Sequence, residues 1–455
     1  MSARNVIDTV RTDAKILGDA NHTQSFRDAW VTLAARSSLS VKQFGAVGDD
    51  STDDTAAIQD AIDAVAALPY GGTVYVPPGR YMVNIKLRSR VALIGANEGT
   101  ILKGLPGVNE PVVSLFNDQV KHTTLANLWI DGNKSNNSGA DCDGVKYVND
   151  TELTGVGLYP DIGDPQHRIY NVVVTKCLHH GMDLFCRETH VSNCLITHCD
   201  NSGILVQGSD NWFASNSINW VGNKGFNVTG GSNLLIQNKV WYNGQVATFA
   251  AADAFEINSA GNLLVGCNAQ DTSRHGFRFL ANGNIGVGLV CDGIGAQFPI
   301  RGAGFEHDEG TGSQVSAIMF DGAGASGSRC RVSGVIRNRH HPAKTLDHAC
   351  RMNGTGQIDN FVDLTILDTD PREAMFVIAN PNGNNIVRIN GRAPIEASLT
   401  ATELADVADA INTTGKYRGK IVWEETNDRV YAASGPNAAD PWYLVANDIG
   451  AVTPS

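Results

Sequence analysis

His180-Gly-Met-Asp-Leu184, Ser202-Gly-Ile-Leu-Val206, Lys224-Gly-Phe-Asn-Val228, Asp253-Ala-Phe-Glu-Ile257 and His275-Gly-Phe-Arg-Phe279 are five versions of one phrase, and their first residues stand 22, 22, 29 and 22 positions apart. An asparagine series carries the same offsets: 22 from Asn171 to Asn193, from Asn211 to Asn233 and from Asn262 to Asn284, and 29 from Asn233 to Asn262. Two series sharing one long step point to a repeat with an insertion, around Gly244-Gln-Val-Ala-Thr-Phe-Ala250. Self-similarity at a fixed period outranks local propensity in deciding a fold. A period of 22 fits one coil of a solenoid with three short strands and three turns, whose stacking buries a core that no single coil can bury. Alternation along a strand sends Met182, Ile204, Phe226, Phe255 and Phe277 inward, with Leu184, Val206, Val228, Ile257 and Phe279 two residues on. The residues between them, Asp183, Leu205, Asn227, Glu256 and Arg278, then face outward. Cys177 and Cys199 are also one period apart and are expected to stack in the core as thiols.

Outward from the repeat, Val41-Lys-Gln-Phe-Gly-Ala-Val-Gly-Asp-Asp-Ser-Thr-Asp-Asp-Thr55 leads into a helix with Ile58, Ile62 and Val65 on its apolar face and N-cap chemistry in Thr52 to Thr55. Gly71-Gly-Thr-Val-Tyr-Val-Pro-Pro-Gly-Arg-Tyr-Met-Val83 reads as strand, Pro-Gly turn and strand. Ser25 to Arg36 has helical spacing of Phe26, Trp30, Leu33 and Ala34. After residue 310 the register is hard to follow, although residues 310–395 stay β-rich. From Ala397 the texture changes to a helix-like stretch, Leu399 to Ile411, and a small β tail with Thr426-Asn-Asp as its turn. The division expected is a helical segment at 1–40, a solenoid at 41–395 and a β module at 396–455.

Composition narrows the function. With 42% hydrophobic and 18% charged residues the chain is globular, and 48 Gly with only 15 Pro suits many tight turns and not a collagen-like repeat. A formal charge of −12, from 35 basic and 47 acidic residues, without a basic stripe, argues against nucleic acid and anionic membrane as partners. No apolar run reaches the length of a membrane span, and the start, Met1-Ser-Ala-Arg-Asn-Val-Ile-Asp8, does not read as a signal peptide. Nine Cys, an odd number without paired metal spacing, read as reduced thiols in a protein made in a cytoplasm.

The segment Phe44-Gly-Ala-Val-Gly-Asp-Asp-Ser-Thr-Asp-Asp-Thr-Ala-Ala-Ile-Gln59, with Gly72-Thr-Val-Tyr-Val-Pro-Pro-Gly-Arg-Tyr81 after it, resembles the opening of the pectate-lyase-like right-handed parallel β-helix superfamily. That likeness implies an all-β, right-handed parallel β-helix and a polysaccharide as partner. The polar-helical start and the tail, Ile411-Asn-Thr-Thr-Gly-Lys-Tyr-Arg-Gly-Lys-Ile-Val-Trp423 with Asp440-Pro-Trp-Tyr443, are similar to phage tailspike depolymerases. This implies a homotrimer in the virion tail, attached to tail or baseplate through its N-terminus, that acts on a bacterial capsule, exopolysaccharide or O-antigen. Asp131-Gly-Asn-Lys-Ser-Asn-Asn-Ser-Gly139, Asp143-Gly and Gly181-Met-Asp183 also resemble alginate C5-epimerase modules. Where that family has catalytic Tyr, His and Lys, this chain has His180, Phe185 and Asp141, and only Asp143 and Asp183 match, so epimerisation is not expected.

Coils about 4.8 Å apart make residues one repeat apart neighbours. Asp253 and Glu256 then share a coil, with Lys224 and Asn227 on one side and His275 and Arg278 on the other. Two carboxylates so placed suit the acid and the base or nucleophile of glycoside hydrolysis, the leading expectation, with Lys224, Asn227, His275 and Arg278 holding substrate. The same residues also suit ion-pair ladders, Glu256 with Arg278 and Asp253 with Lys224, and the residues alone leave both open. Lys224, His275 or Arg278 binding a uronate, or Arg or Lys taking its C5 proton, would instead serve a lyase. Asp183 with Asp143, near His179, His180 and Arg187, forms a second candidate catalytic cluster. Trp220 and Tyr242, one repeat apart, form either a sugar platform or a buried stack. No cofactor is expected, and Ca2+ at Asp131, Asp141 and Asp143 is the one metal considered. Glu306-His-Asp-Glu309 reads as a solvated loop. A non-enzymatic receptor-binding spike and a bacterial polysaccharide lyase or hydrolase remain as alternatives.

Overall fold

The computed structural model describes residues 39–149, 166–246 and 252–295, and shorter stretches between 315 and 452. The helical segment expected before residue 39, the Glu306–Glu309 loop and the Thr426–Asp428 turn lie outside the described residues. The chain divides into two compact units, residues 1–199 and 200–455. Both are parallel β-helices.

In the first unit the strand Leu39–Ser40, a 3-10 turn at Val41–Phe44 and the strand Asp49–Asp53 lead into the helix Thr55–Ala66. Ile58, Ile62 and Val65 recur every three to four residues and are all but fully buried, so an apolar stripe fixes the helix on the first coils. Its N-cap is Asp54, but that carboxylate makes no capping bond. It accepts instead from the backbone N–H groups of Val47 and Gly48, tying down the preceding loop. The strands Gly72–Tyr75 and Gly79–Met82 flank the Pro-Gly turn as expected. They are not a hairpin, for each pairs in parallel one coil further on, with Val91–Ile94 and Thr100–Lys103 respectively. The first outward face of this unit stacks Ile85–Leu87, Val113–Leu115, Val145–Val148 and Met182–Phe185. Cys177 and Cys199 are both fully buried, their thiols donating to the backbone carbonyls of Thr175 and Thr197 respectively, and all nine cysteines are free and buried.

In the second unit the repeat phrase sets the register. Ile204 pairs with Phe226, Phe226 with Phe255 and Phe255 with Phe277, so the step of 29 is one coil plus its insertion. The inward rings of Phe226, Phe255 and Phe277 stack at 5.3 and 4.7 Å. Such pairs add about 0.5–1.5 kcal/mol each beyond the area they bury. The glycine at the second position of the phrase is steric: a Cβ on Gly203 would meet Ile218 Cγ2 at 2.4 Å, and on Gly225 Val240 Cγ1 at 2.3 Å.

The asparagine series is two columns and not one. Asn211, Asn233, Asn262 and Asn284 are buried, and each side-chain oxygen from Asn233 onward accepts the backbone N–H of the previous member at 2.8–3.0 Å. Asn171 and Asn193 occupy a different bend with left-handed backbone, at φ 54 for both, which asparagine tolerates better than most residues.

Each coil of the second unit shows three faces. The first, Ile204–Val206 through His348–Met352, is polar and charged outward. The second stacks Trp212–Ala214, Leu234–Ile236, Leu263–Val265 and the start of Ile285–Ile294. Its outward residues are Trp212, Leu234, Leu263 and Ile285 in one column and Ala214, Ile236, Val265 and Val287 in the other. The third, Ser217–Asn219, Lys239–Trp241 and Asn268–Thr272, presents mainly amide and hydroxyl groups. The end of the chain changes architecture. Ile421–Glu424, Arg429–Ala433, Trp442–Leu444 and Ala451–Val452 pair antiparallel over Leu404, Val422, Tyr431 and Trp442. Among the described residues no helix is long and apolar enough to cross a membrane.

Candidate active site

Both outward clusters expected from the repeat exist, and their electrostatics differ. In the second unit Asp253 is fully buried. Both its oxygens are taken by one fork, Arg274 Nε at 2.7 Å and Nη2 at 2.6 Å, and the His275 backbone N–H donates to Oδ1 at 3.2 Å. Glu256, 6% exposed, accepts from Lys224 Nζ at 2.6 Å and Arg278 Nη1 at 3.1 Å. The other arm of Arg278 donates to Asp321 Oδ2 at 2.5 Å. Burial is the largest influence on the Asp253 carboxyl and works to raise it, but Arg274 and Arg278, with His275, together hold it well below the usual carboxylate range.

The ladder therefore differs from the one expected. Lys224 pairs with Glu256 and not with Asp253, whose partner is Arg274, a residue one place before the repeat phrase that the sequence reading passed over. A carboxylate clamped on both oxygens is a poor proton donor, and Arg278 Nη1 lies within 3.5 Å of both Asp253 and Glu256. His275 is buried and its Nδ1 accepts the Ser316 backbone N–H at 3.0 Å; burial pulls its imidazole down to about 4, so it is neutral at ordinary pH. Asn227 stands in register between Leu205 and Glu256. Trp220 and Tyr242 are neighbours with ring centroids 5.0 Å apart, both half-buried at left-handed bends. They are thus neither a sealed core stack nor a fully open platform.

In the first unit Asp183 faces outward beside Lys146, its partner in the parallel ladder. The Lys146 ammonium stands 2.7 Å from Asp141, 3.7 Å from Asp183 and 3.9 Å from Asp143. Burial is the largest influence on that ammonium and would lower it, yet the three carboxylates together raise it above its ordinary value. Asp143 is fully buried; its Oδ1 accepts His179 Nδ1–H at 2.9 Å and the His180 backbone N–H at 2.8 Å. The His179 and His180 rings meet edge-on at 4.0 Å. His179 keeps 30% of its side chain exposed, so a carboxylate-oriented imidazole is open to solvent in the cluster that Lys146 joins to a nearly buried Asp183. Lys146 was missed from the sequence because its pairing with Asp183 spans one coil plus an insertion, 37 residues in all.

The oxygen-rich stretch considered for Ca2+ is engaged otherwise. Asp131 accepts from the Asn133 backbone and lies 3.3 Å from Lys176, while Asp141 and Asp143 share Lys146. Among the described residues no group of three or more His, Cys, Asp or Glu side chains is arranged to hold a metal ion.

Comparison with known proteins now bears on this geometry. The sequence model of the family described as rhamnogalacturonase A/epimerase, pectate lyase-like, matches residues 38–277. The mannuronan C5-epimerase AlgE5 of Azotobacter vinelandii is 32% identical over 233 residues, 43% of this chain and 22% of that protein. Alginate lyase 7 of the same organism is 41% identical over 113 residues, 22% of this chain and 13% of that one. The chain thus spans about a fifth or less of the length of these relatives. In fold, the enzymatically active domain of tailspike protein 2 from bacteriophage CBA120 superposes with a TM-score of 0.58 at 15% identity, over 89% of this chain and 59% of that one.

Proposed function

The chain belongs to the rhamnogalacturonase A/epimerase, pectate lyase-like family, and from that premise we propose that it binds and hydrolyses a bacterial surface polysaccharide. Asp183 and His179 do the chemistry. The observation that carries this reading is the sharing of one ammonium, Lys146, by three carboxylates beside an imidazole held by one of them. Such a site is short of positive charge, so it repels the sugar carboxylate that a β-elimination must neutralise, and it suits hydrolysis of an uncharged sugar. Asp183 takes a proton from the attacking water as the C–O bond breaks. His179, as imidazolium with Nδ1–H held by Asp143, passes its Nε2 proton to the leaving oxygen. Asp253 and Glu256, the pair first expected to do this, serve in this reading as an ion-paired cluster of the second unit. We further assign the chain to a homotrimeric spike of a phage tail, attached through its N-terminal residues. The tailspike relative in fold and the apolar face of the second unit, Trp212 through Val287, support that assignment.

The test is release of reducing ends from a panel of purified bacterial capsular polysaccharides and exopolysaccharides. Asp183→Asn and His179→Gln each lower turnover by about a hundredfold or more while binding persists. Undiminished turnover in both overturns the site, and ultraviolet-absorbing unsaturated ends overturn hydrolysis. Binding without any new ends leaves the receptor-binding spike in its place.

A further inference from the structure

In the first unit's cluster the Lys146 ammonium is bonded to the most exposed of its three carboxylates. Its Nζ donates to Asp141 Oδ1 at 2.7 Å, whereas Asp183 at 3.7 Å and Asp143 at 3.9 Å lie beyond hydrogen-bond distance from it. Asp141 keeps 66% of its side chain exposed, against 7% for Asp183 and none for Asp143. Asp143 Oδ2 is shielded from water and accepts no hydrogen bond among the described residues. A charge pair gains more where water is excluded, so without Asp141 the ammonium would close on the two buried carboxylates. Asp141 is held in place by its own backbone, whose carbonyl accepts the Asp143 N–H at 2.8 Å. The bond and the charge of Lys146, with a smaller pull from His179, hold its carboxyl below the ordinary value, so it is ionised at neutral pH. The other titratable groups on the described neighbouring elements are His179 and His180 before the strand Met182–Phe185, Arg187 after it, and the Cys142 thiol, which burial pushes up. One coil back Lys146 stands in register with the neutral Ser114, and Lys86 is one coil further.

We propose that Asp141 is a positioning residue for the cleavage: it holds Lys146 away from Asp183, so that Asp183 stays a strong enough base to take a proton from water. The inference rests on the hydrolytic reading of Asp183 and His179. A carboxylate gripped by an ammonium at hydrogen-bond distance is a weaker base than one 3.7 Å from it, and the strength of the base sets the rate of a general-base step. Asp141 also lies close enough to His179 for their charges to interact. It acts on the reaction only through these neighbours, as the carboxylate that decides which of three partners the ammonium takes.

The experiment is the pH dependence of kcat/KM for release of reducing ends from the member of the polysaccharide panel that wild type degrades, with thermal midpoints measured alongside. Wild type gives a bell whose acid limb reports Asp183 and whose alkaline limb reports His179. Asp141→Asn turns Lys146 toward the buried carboxylates and removes a negative charge, so the acid limb moves down by about one pH unit and the alkaline limb follows by less. Lys146→Met removes the cation and moves the acid limb up. Asp141→Glu, which can keep the bond to Lys146, restores the wild-type limbs. A merely structural role would lower the rate or the thermal midpoint without moving either limb. Acid limbs that coincide in wild type, Asp141→Asn and Lys146→Met overturn the proposal, as does an upward shift in Asp141→Asn. A wild type that releases no ends from any member of the panel refutes hydrolysis at Asp183 and this role with it. A bell that Asp183→Asn abolishes but Asp141→Asn leaves in place refutes the positioning role alone.

Discussion

Asp183 and Glu256 occupy the same place in two copies of one repeat phrase, yet their surroundings are opposite. Around Asp253 and Glu256, Arg274, Lys224 and Arg278 match the carboxylates, and Asp253 has no exposed side-chain surface. Around Asp183 three carboxylates draw on one ammonium, and an imidazole stays open to solvent. The same backbone position thus yields a locked ion-pair cluster in one coil and an under-neutralised site in another, and the neighbours one coil away decide which. The largest expected effect follows. Asp253→Asn strands the Arg274 guanidinium, whose side chain is only 19% exposed, and costs about 3–5 kcal/mol. Asp183→Asn leaves Lys146 its closest partner, Asp141, and costs about 1 kcal/mol or less. Thermal unfolding of the two variants side by side checks this, and equal losses would erase the distinction between the clusters.

Acid acts on a buried histidine in each unit. His167 in the first unit, bonded to Thr123 and Asn149, is pulled by burial down to about 3, and His275 in the second to about 4. Unfolded, each titrates near 6.5. Below that value the unfolded chain binds protons that the folded chain refuses, so stability falls as pH drops from 6.5 toward 4, by on the order of 3 kcal/mol for each histidine. Asp253 adds its own loss only lower, because a carboxyl held below its ordinary value stabilises the fold above the unfolded pKa and loses that effect as pH falls through the folded one. A pH series of unfolding midpoints should show the upper window first. His275→Asn, whose side-chain oxygen can still accept the Ser316 N–H, should flatten part of it. A midpoint level from pH 7 to 4 would contradict the buried neutral imidazoles.

Periodicity made the coils legible because a parallel stack repeats one environment many times. Met182, Phe226 and Phe277 had to be apolar for the same reason, and the spacing showed it before any coordinates did. The charged partners were less legible because they sit outside the periodic positions. Arg274 precedes the phrase by one residue, and Lys146 is separated from Asp183 by an insertion, so neither offset equals the period. Asn171 and Asn193 show the converse failure. They share the 22-residue step with the buried Asn ladder because every position in a coil shares it, and only their left-handed bends reveal a separate column. A period identifies equivalent positions and not which face they occupy. For the same reason the carboxylates could be found from the sequence, whereas the assignment of acid, base and ion-pair roles required the neighbours' distances.

The smallest expected effect on stability tests the contrast between faces. Opposite the charged column's chemistry, Trp212, Leu234, Leu263 and Ile285 line up on successive coils with Ala214, Ile236, Val265 and Val287 beside them, and Trp212, Ile285 and Val287 are 52%, 40% and 47% exposed. The stripe runs along the stacking direction, so parallel copies of the chain would bring equivalent residues to one height and bury it continuously. This is the apolar surface that the proposed trimer would bury. Changing Ile285 and Val287 together to Asp alters outward positions only, so the folded subunit should keep its stability to within about 0.5 kcal/mol for each change. Its solution mass by light scattering should nevertheless fall from three chains to one. A double variant that still sediments as a trimer would move the trimer contact to another face, and a wild type with the mass of one chain would remove the trimer altogether.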